Sequence, residues 1–352
     1  MYKYTHLISE NVAPTGATGV AAMDKNGNRV CTIPLGPLKL PDLGPIKYTG
    51  GILSDAHTTT ISSMFGTAED SQADLTRAVR YFAQRAKYLF ESGDLCSFCD
   101  DGGLEKHMEI VNANKGDMEH FPMPGNHEHF SIENKVVPMT DAAFLAHTGR
   151  PLRYWAERDG DVFIMCGAVT WGAVFDQAGI QWLYEMLEQH RNKRCFVFTH
   201  CPLKGAQYCG DAAGIVNTVD MMAAHKNTFL ALLAHYKNVI WMHGHTHVMA
   251  QMQDYLRAQT PPLPANYDFA CGVHSFHIPS GAYPRDISSG EKINMFGESQ
   301  GVLMEAYERH IVMRYIDFVA GTEIPIAQYC VETPLVDIPA GTFADPTGTI
   351  TV

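Results

Sequence analysis

The stretch His120-Phe121-Pro122-Met123-Pro124-Gly125-Asn126-His127-Glu128-His129 opens on a short apolar run and ends in a cluster of imidazole, amide and carboxylate groups. Val239-Ile240-Trp241-Met242-His243-Gly244-His245-Thr246-His247 follows the same plan further along the chain. A short apolar run reads as a buried strand, and polar groups just past it lie beyond the strand's carboxyl end, where open α/β sheets keep their ligands. Three more runs end in this way. Gly51-Ile52-Leu53-Ser54 leads into Asp55-Ala56-His57, Tyr88-Leu89-Phe90-Glu91-Ser92 into Gly93-Asp94, and Cys195-Phe196-Val197-Phe198-Thr199 into His200-Cys201-Pro202. An isolated Asp-x-His or His-x-His is a weak signal, but this ordered series points to one site.

The intervening segments carry helical periodicity. Leu75, Val79, Phe82 and Ala86 recur at spacings of three and four and predict an amphipathic helix over 70–86, with further helices over 104–114, 177–191 and 219–236. Strands are expected at 51–54, 88–92, 120–123, 162–166, 195–199 and 239–242, and a late antiparallel pair at 302–307 and 311–318. Strands alternating with helices make this an α/β chain. The region 256–300, with Pro261, Pro262 and Pro264, reads as long loops. Residues 1–45 read as a small N-terminal β-hairpin appendage turning at Asn26-Gly27, 46–332 as the main domain and 333–352 as an extended tail. Asp24-Lys25-Asn26-Gly27-Asn28 is not a calcium loop, since Arg29 stands where such a loop needs glycine and Leu35 where it needs glutamate.

Composition narrows the class. The 352 residues are 46% hydrophobic and 18% charged, and no apolar stretch approaches the ~18 residues of a membrane span. The formal charge of −12 argues against non-specific capture of nucleic acid or anionic lipid. Nine cysteines without a paired zinc-type spacing read as free thiols of a reducing compartment, and Met1–Asn11 shows no signal peptide, so a cytoplasmic location is expected. The 17 histidines are the unusual count, and seven of them, His57, His127, His129, His200, His243, His245 and His247, stand in or beside the strand-end blocks.

Two divalent ions about 3.5–4 Å apart need a bridging carboxylate and imidazole or carboxylate ligands, and a water held between them is a nucleophile near neutral pH. A single zinc would use about four such groups; this chain offers more. Mixed nitrogen and oxygen donors suit manganese, iron or zinc.

Asp55-Ala-His57, Gly93-Asp94, Gly125-Asn126-His127-Glu128, His200 and Gly244-His245-Thr246-His247 resemble the five ordered blocks of the calcineurin-like metallophosphoesterases over roughly residues 46–320. The resemblance implies a four-layer α/β/β/α sandwich with two divalent or mixed-valence transition metal ions (Mn, Fe or Zn) that hydrolyses phosphomonoesters or small phosphodiesters. It places Asp55, His57 and His247 on one metal, Asp94 between the two, and Asn126, His200 and His245 on the other. His127 would be the general acid or the donor to the phosphoryl oxygens. Two positions depart from the pattern. Ser97 stands where the family often has an aspartate that orients the catalytic histidine, leaving Asp100 or Asp101 as substitutes. Asp101 is also an alternative to Asp94 as the bridge, with Asp94 preferred because its Gly-Asp pair is intact.

His129 and His243 flank the blocks, as orienting groups or as hydrogen-bonded neighbours. His274, His277, Tyr283 and Arg285 follow the last block, and either shape the substrate pocket, with Arg285 gripping phosphate, or lie on the surface. No arginine lies between Asp94 and Gly125, which disfavours a Ser/Thr protein phosphatase, and Ser97 replaces the tyrosine a purple acid phosphatase would place there. The preferred substrate class is therefore a small phosphodiester or phosphomonoester, such as a nucleotide-derived one. A nuclease is disfavoured by charge, no protein partner is indicated, and a non-catalytic scaffold is the alternative of a different kind.

Overall fold

Alternation along the strands assigns each side chain to a face. In Val162-Phe163-Ile164-Met165-Cys166 every residue is buried, so both faces of this strand are covered. The computed structural model describes residues 19–23, 29–34, 40, 42–203, 224–252, 267–268, 273–286, 292–333 and 335–351. In chain order its elements are β1 (Gly19–Met23), β2 (Arg29–Pro34), β3 (Tyr48–Leu53), α1 (Ala68–Ala83), β4 (Tyr88–Ser92), α2 (Gly103–Asn114), β5 (Glu119–Met123), α3 (Asp141–Thr148), β6 (Arg153–Arg158) and β7 (Asp161–Cys166). They continue with α4 (Gln177–Gln189), β8 (Cys195–Thr199), α5 (Lys226–His235), β9 (Val239–His243), β10 (Tyr267–Asp268), β11 (Val273–His277), β12 (Arg285–Asp286), β13 (Ile293–Asn294), β14 (Gln300–Ala306), β15 (His310–Asp317) and β16 (Thr322–Glu332).

Two six-stranded sheets result, in the orders β16-β15-β14-β3-β4-β5 and β10-β11-β9-β8-β7-β6. Strands β3, β4 and β5 run parallel, with Phe90 opposite both Ile52 and Phe121. Strands β7, β8, β9 and β11 are also parallel, with Val197 opposite Ile164 and Trp241. The inward side chains Tyr88, Phe90, Phe121, Phe163, Phe196, Phe198 and Met242 fill the space between the sheets. Outward, Leu89 and Leu53 meet Leu75, Val79 and Phe82 of α1 and Val111 of α2, whereas Ile164, Val197 and Trp241 meet Ile180 and Leu183 of α4 and Phe229 and Leu232 of α5. The architecture is a four-layer α/β/β/α sandwich. Side-chain caps fix three helix starts: the Thr67 hydroxyl accepts from Asp70 N at 3.1 Å, the Thr140 hydroxyl from Ala143 N at 3.1 Å, and the Asp176 carboxylate from Gly179 N at 2.6 Å.

The expected helices appear as α1, α2, α4 and α5, the last beginning at Lys226; residues 219–223 of the predicted span lie outside the described residues. The two strands of the N-terminal hairpin pair antiparallel, Gly19 opposite Pro34, while the Asn26-Gly27 turn also lies outside them. Two expectations are corrected. The region 256–300 is not all loop, because β11 pairs with β9 in the second sheet, next to the short edge strand β10; the prolines before it hid a strand whose alternation is mixed. The late antiparallel pair is also joined by an eleven-residue third strand, β16. Among the described residues no helix is long and apolar enough to cross a membrane.

The C-terminal segment carries neither helix nor strand and packs over α4 and α5. Ile338, Phe343 and Ile350 are buried in that outer core. Main-chain groups of the segment bond to helix-layer side chains: Arg191 Nε donates to Ile338 O at 2.9 Å, and Thr351 N donates to Gln181 Oε1 at 2.9 Å. Phe343→Ala is expected to destabilise the protein by about 3 kcal/mol. Leu335→Ala, at 57% exposure, should change stability by less than about 0.5 kcal/mol. Urea unfolding of both variants checks the contrast, and equal effects would show that the segment is not part of the core.

Candidate metal centre

The strand-end blocks meet at one edge of the sandwich, and Ser92 at the end of β4 ties the two sheets together there. Its hydroxyl donates to Thr199 O at 3.0 Å, and its carbonyl accepts the Nδ1–H of His200 at 2.7 Å. Asp55 N donates to Gly93 O at 3.0 Å, His57 N to Asp94 O at 3.0 Å, and Gly244 N to His200 O at 2.8 Å. A Cβ on Gly125 would fall 2.2 Å from Asp94 Oδ1, and one on Gly244 would fall 1.8 Å from Ser54 Oγ. Only glycine permits these crossings.

The backbone turns left-handed at Asp55 (φ 54°), His57 (45°), Asp94 (52°), His245 (71°) and His247 (58°). Only Asn134 and Asp159 share that conformation among the other described non-glycine residues. Each such residue costs about 1–3 kcal/mol and persists where its surroundings over-determine it. The strain is concentrated where side chains must converge.

What converges is two facing pairs of imidazoles around one carboxylate. His57 Nε2 lies 3.1 Å from His247 Nε2, and His245 Nδ1 lies 3.2 Å from His200 Nε2. Asp94 Oδ2 stands 3.0 Å from His200 Nε2 and 3.7 Å from His57 Nε2, so it touches both pairs. Asp55 Oδ1 is 2.9 Å from His247 Nε2, and its Oδ2 accepts from His245 N at 2.9 Å. Asn126 is buried beside Gly125, and its Oδ1 has no hydrogen-bond donor among the described residues. A buried amide oxygen left so costs about 1–3 kcal/mol, and imidazole lone pairs about 3 Å apart repel unless a proton or a cation lies between them.

Protonation suits cations. Burial raises the Asp94 carboxyl, but the His200 and His127 imidazoles outweigh it and hold the group well below the carboxylate range. Asp55 is likewise low, with His247 and His200 overcoming burial. Burial pushes His57 and His247 down, and burial with the neighbouring His200 takes His245 down to about 3. His200 alone moves up, to about 9, because Asp94 and Asp55 outweigh its burial. Two carboxylates and three neutral imidazoles form a donor set for divalent ions. Asp55, His57, Asp94 and His247 place ligand atoms within 4.8 Å of one another.

The family profile of calcineurin-like phosphoesterases matches residues 51–249, which span all five blocks. The chain belongs to that family. No curated protein sequence matches it. Among solved structures it is similar to GAP50, the anchor in the inner membrane complex of Plasmodium, with 12% identity over 86% of this chain and 91% of that one, at a TM-score of 0.51. A purple acid phosphatase from yellow lupin (Lupinus luteus) seeds gives 14% identity over 89% of this chain and 58% of that one, at a TM-score of 0.49. At these identities the likeness is one of fold.

Within this member of the family, His127 is oriented without the expected carboxylate. Its Nδ1–H donates to the main-chain carbonyl of Ser97 at 2.8 Å, its own N donates to Asp94 Oδ1 at 2.8 Å, and its Nε2 lies 4.0 Å from Asp94 Oδ2. Asp100 and Asp101, the expected substitutes, lie elsewhere. Asp100 accepts from Ile132 N, and Asp101 accepts from Thr59 Oγ1, Thr60 N and Gly103 N at the start of α2. The imidazoles thus surround Asp94, and Asp101 is engaged outside their circle.

The flanking residues have structural partners. His129 donates Nε2–H to Ala168 O at 2.9 Å and accepts from Met139 N, and His243 pairs with Ser275 Oγ at 3.2 Å. His274 reaches Glu332 O at 3.1 Å on the sheet, whereas His277 reaches Thr246 Oγ1 at 2.7 Å behind the last block. Tyr283 is buried against His57 and His247, with ring centroids 5.0 and 4.4 Å away. Arg285 bonds to Asn294 Oδ1 and Thr246 O, which makes it a staple for the last block.

One group beside the site has no local sequence signal. Glu91 is buried on β4; its Oε1 lies 2.9 Å from His107 Nε2, and its Oε2 lies against His120 Nε2. His107 Nδ1 is 3.0 Å from the hydroxyl of Thr58, the residue after His57. Burial raises the Glu91 carboxyl, but His107 and His120 outweigh it and hold it well below the carboxylate range. A depressed carboxyl contributes stability above its unfolded value, near pH 4.3, and loses it as pH falls toward the folded value. Glu91→Gln, whose amide cannot accept from both His107 and His120, is therefore expected to destabilise the protein by about 1–3 kcal/mol at pH 7. The gap from wild type should narrow progressively below about pH 4. Melting temperatures across pH check this, and a gap constant down to pH 3 would refute it.

Proposed function

We propose that the protein is a metal-dependent phosphoesterase acting on a phosphomonoester or small phosphodiester. The observation that carries this reading is the pair of facing imidazole sets, His57 with His247 and His200 with His245, both reached by the Asp94 carboxylate. Asp55, His57 and His247 would hold one divalent or mixed-valence ion and Asn126, His200 and His245 the other, with Asp94 between them. When bound, such ions supply Lewis acidity toward phosphoryl oxygens and lower the pKa of a water nucleophile.

The chain's own groups do the rest. The Ser97 carbonyl takes the Nδ1–H of His127 and fixes the ring so that Nε2 faces Asp94. A proton carried at that Nε2 is positioned to pass to the departing alkoxide or to bond a phosphoryl oxygen. His200 is held in register by Ser92 O, the kind of outer hydrogen bond that sets the direction of a ligand's lone pair. Glu128, buried behind the block and raised to about 7 by burial and by Asp94, accepts from Gly125 N at 2.6 Å and Cys96 N at 2.9 Å, which holds the Asn126-His127 turn in place.

A decayed scaffold would be expected to lose ligand types, and every block here keeps them. Metal analysis by mass spectrometry with a phosphoester panel tests the reading. About two transition metal ions per chain are expected, together with chelator-sensitive hydrolysis. Asp94→Asn should lose metal, whereas His127→Ala should keep it and lower kcat by about 10²–10⁴. A fully metal-loaded protein inert on both monoesters and diesters would overturn the proposal.

A further inference from the structure

Three loops bring aromatic rings to His127 and to the site's rim. Phe65, from the loop after the first block, packs edge-on to His127 with centroids 4.7 Å apart and parallel to His57 at 5.7 Å. Trp171, from the loop after β7, lies 5.0 Å from His127 on a steeply inclined plane and stacks on Phe130 at 4.3 Å. Phe296, 51% exposed, covers Tyr283 at 5.3 Å and abuts the Gly66 turn. Phe65, Phe130 and Trp171 are only partly buried, and Met64 beside them is 76% exposed. Together they make an apolar, partly exposed rim on one side of the imidazole to which the proposed mechanism gives the leaving group.

We propose that Phe65 and Trp171, flanking His127, form a subsite for a planar aromatic ring in the substrate's leaving group. The inference rests on the phosphoesterase reading and narrows it to phosphoesters whose alcohol carries such a ring, a nucleoside or an aryl-bearing alcohol. Apolar half-open rings offer an aliphatic or polyhydroxyl group less, because they desolvate its hydroxyls without bonding them. A flat π-face gains both area burial and stacking. Arg285 is bonded to Asn294 and Thr246 and so is not a second phosphate clamp, which favours a single phosphoryl group over a polyphosphate.

The test uses the metal-loaded full chain and substrates matched in reactivity. A nucleoside 5′-monophosphate and ribose 5-phosphate lose the same type of primary alcohol from a phosphate of the same charge, and differ in the base. The nucleotide is expected to show a kcat/KM at least about tenfold higher, the factor of one base–aromatic stack. Trp171→Ala and Phe65→Ala should collapse that ratio, and Trp171→Phe should retain it. Calorimetry with phenylphosphonate and methylphosphonate reads the subsite without turnover, and the same preference and the same dependence on Trp171 are expected. Equal kcat/KM for the two substrates with equal phosphonate affinities would overturn the subsite and leave the phosphoesterase reading standing. A Trp171-dependent preference for phenylphosphonate in a fully metal-loaded protein that hydrolyses neither these monoesters nor a panel of diesters would support the subsite and overturn that reading. Preference for phenylphosphonate alone would assign the ring to an aryl group rather than a nucleobase.

Discussion

The Asp94 carboxylate is the contact on which the rest of the site depends. It is buried, yet ionised, because its two oxygens are divided between opposed demands. Oδ1 takes the main-chain N–H of His127, and Oδ2 faces His200 and His57. A buried carboxylate is tolerated only when paired and hydrogen-bonded. Both halves of the sandwich therefore have to be in register before Asp94 is satisfied: His200 comes from the end of β8, Asp94 from the end of β4, and Ser92 and Gly125 set the distance between them. The cost of misplacing either sheet is an unpaired buried charge, several kcal/mol by general measure.

The left-handed turns at Asp55, His57, Asp94, His245 and His247 extend the same logic to the backbone. Strained turns open readily when their surroundings are soft. Here they sit on strand ends whose other residues are packed on both faces, with Phe90, Phe163 and Phe198 inside and Leu89, Ile164 and Trp241 outside. The apolar layers hold the strands, the strands hold the turns, and the turns aim the imidazoles. Chemistry of this kind needs ligands fixed before the cation arrives, because donor groups that have to be gathered weaken binding by the entropy of gathering them.

Much of this was legible in the amino-acid order. The ligand types follow apolar runs, and a parallel sheet sends all such run-ends to one side, so Asp55, His57, Asp94, Asn126, His200, His245 and His247 pointed to one place. The Ser97 role was hidden because it belongs to the main chain: any residue carries a carbonyl, and no side chain announces which one will meet His127. Glu91, His107 and His120 were hidden because a strand, a helix and a neighbouring strand bring them together with no common motif. Strand β11 was obscured by prolines upstream. The C-terminal segment reads as an extended tail, yet its Ile338, Phe343 and Ile350 are spaced to reach the core under α4 and α5, a pattern without a helical or strand period.

The acidity of the chain acquires a meaning from the same geometry. A formal charge of −12 works against a phosphate at long range, but within a salt-screened ~8 Å only nearby groups count. In the centre itself the ionised Asp55 and Asp94 are offset by a protonated His200, while His57, His245 and His247 are held neutral by burial. Such a set is net anionic and would repel a phosphoryl group. Two divalent cations would invert the local field. The arrangement therefore makes phosphate affinity conditional on the metals, with the rings around His127 free to act on the uncharged end of the substrate.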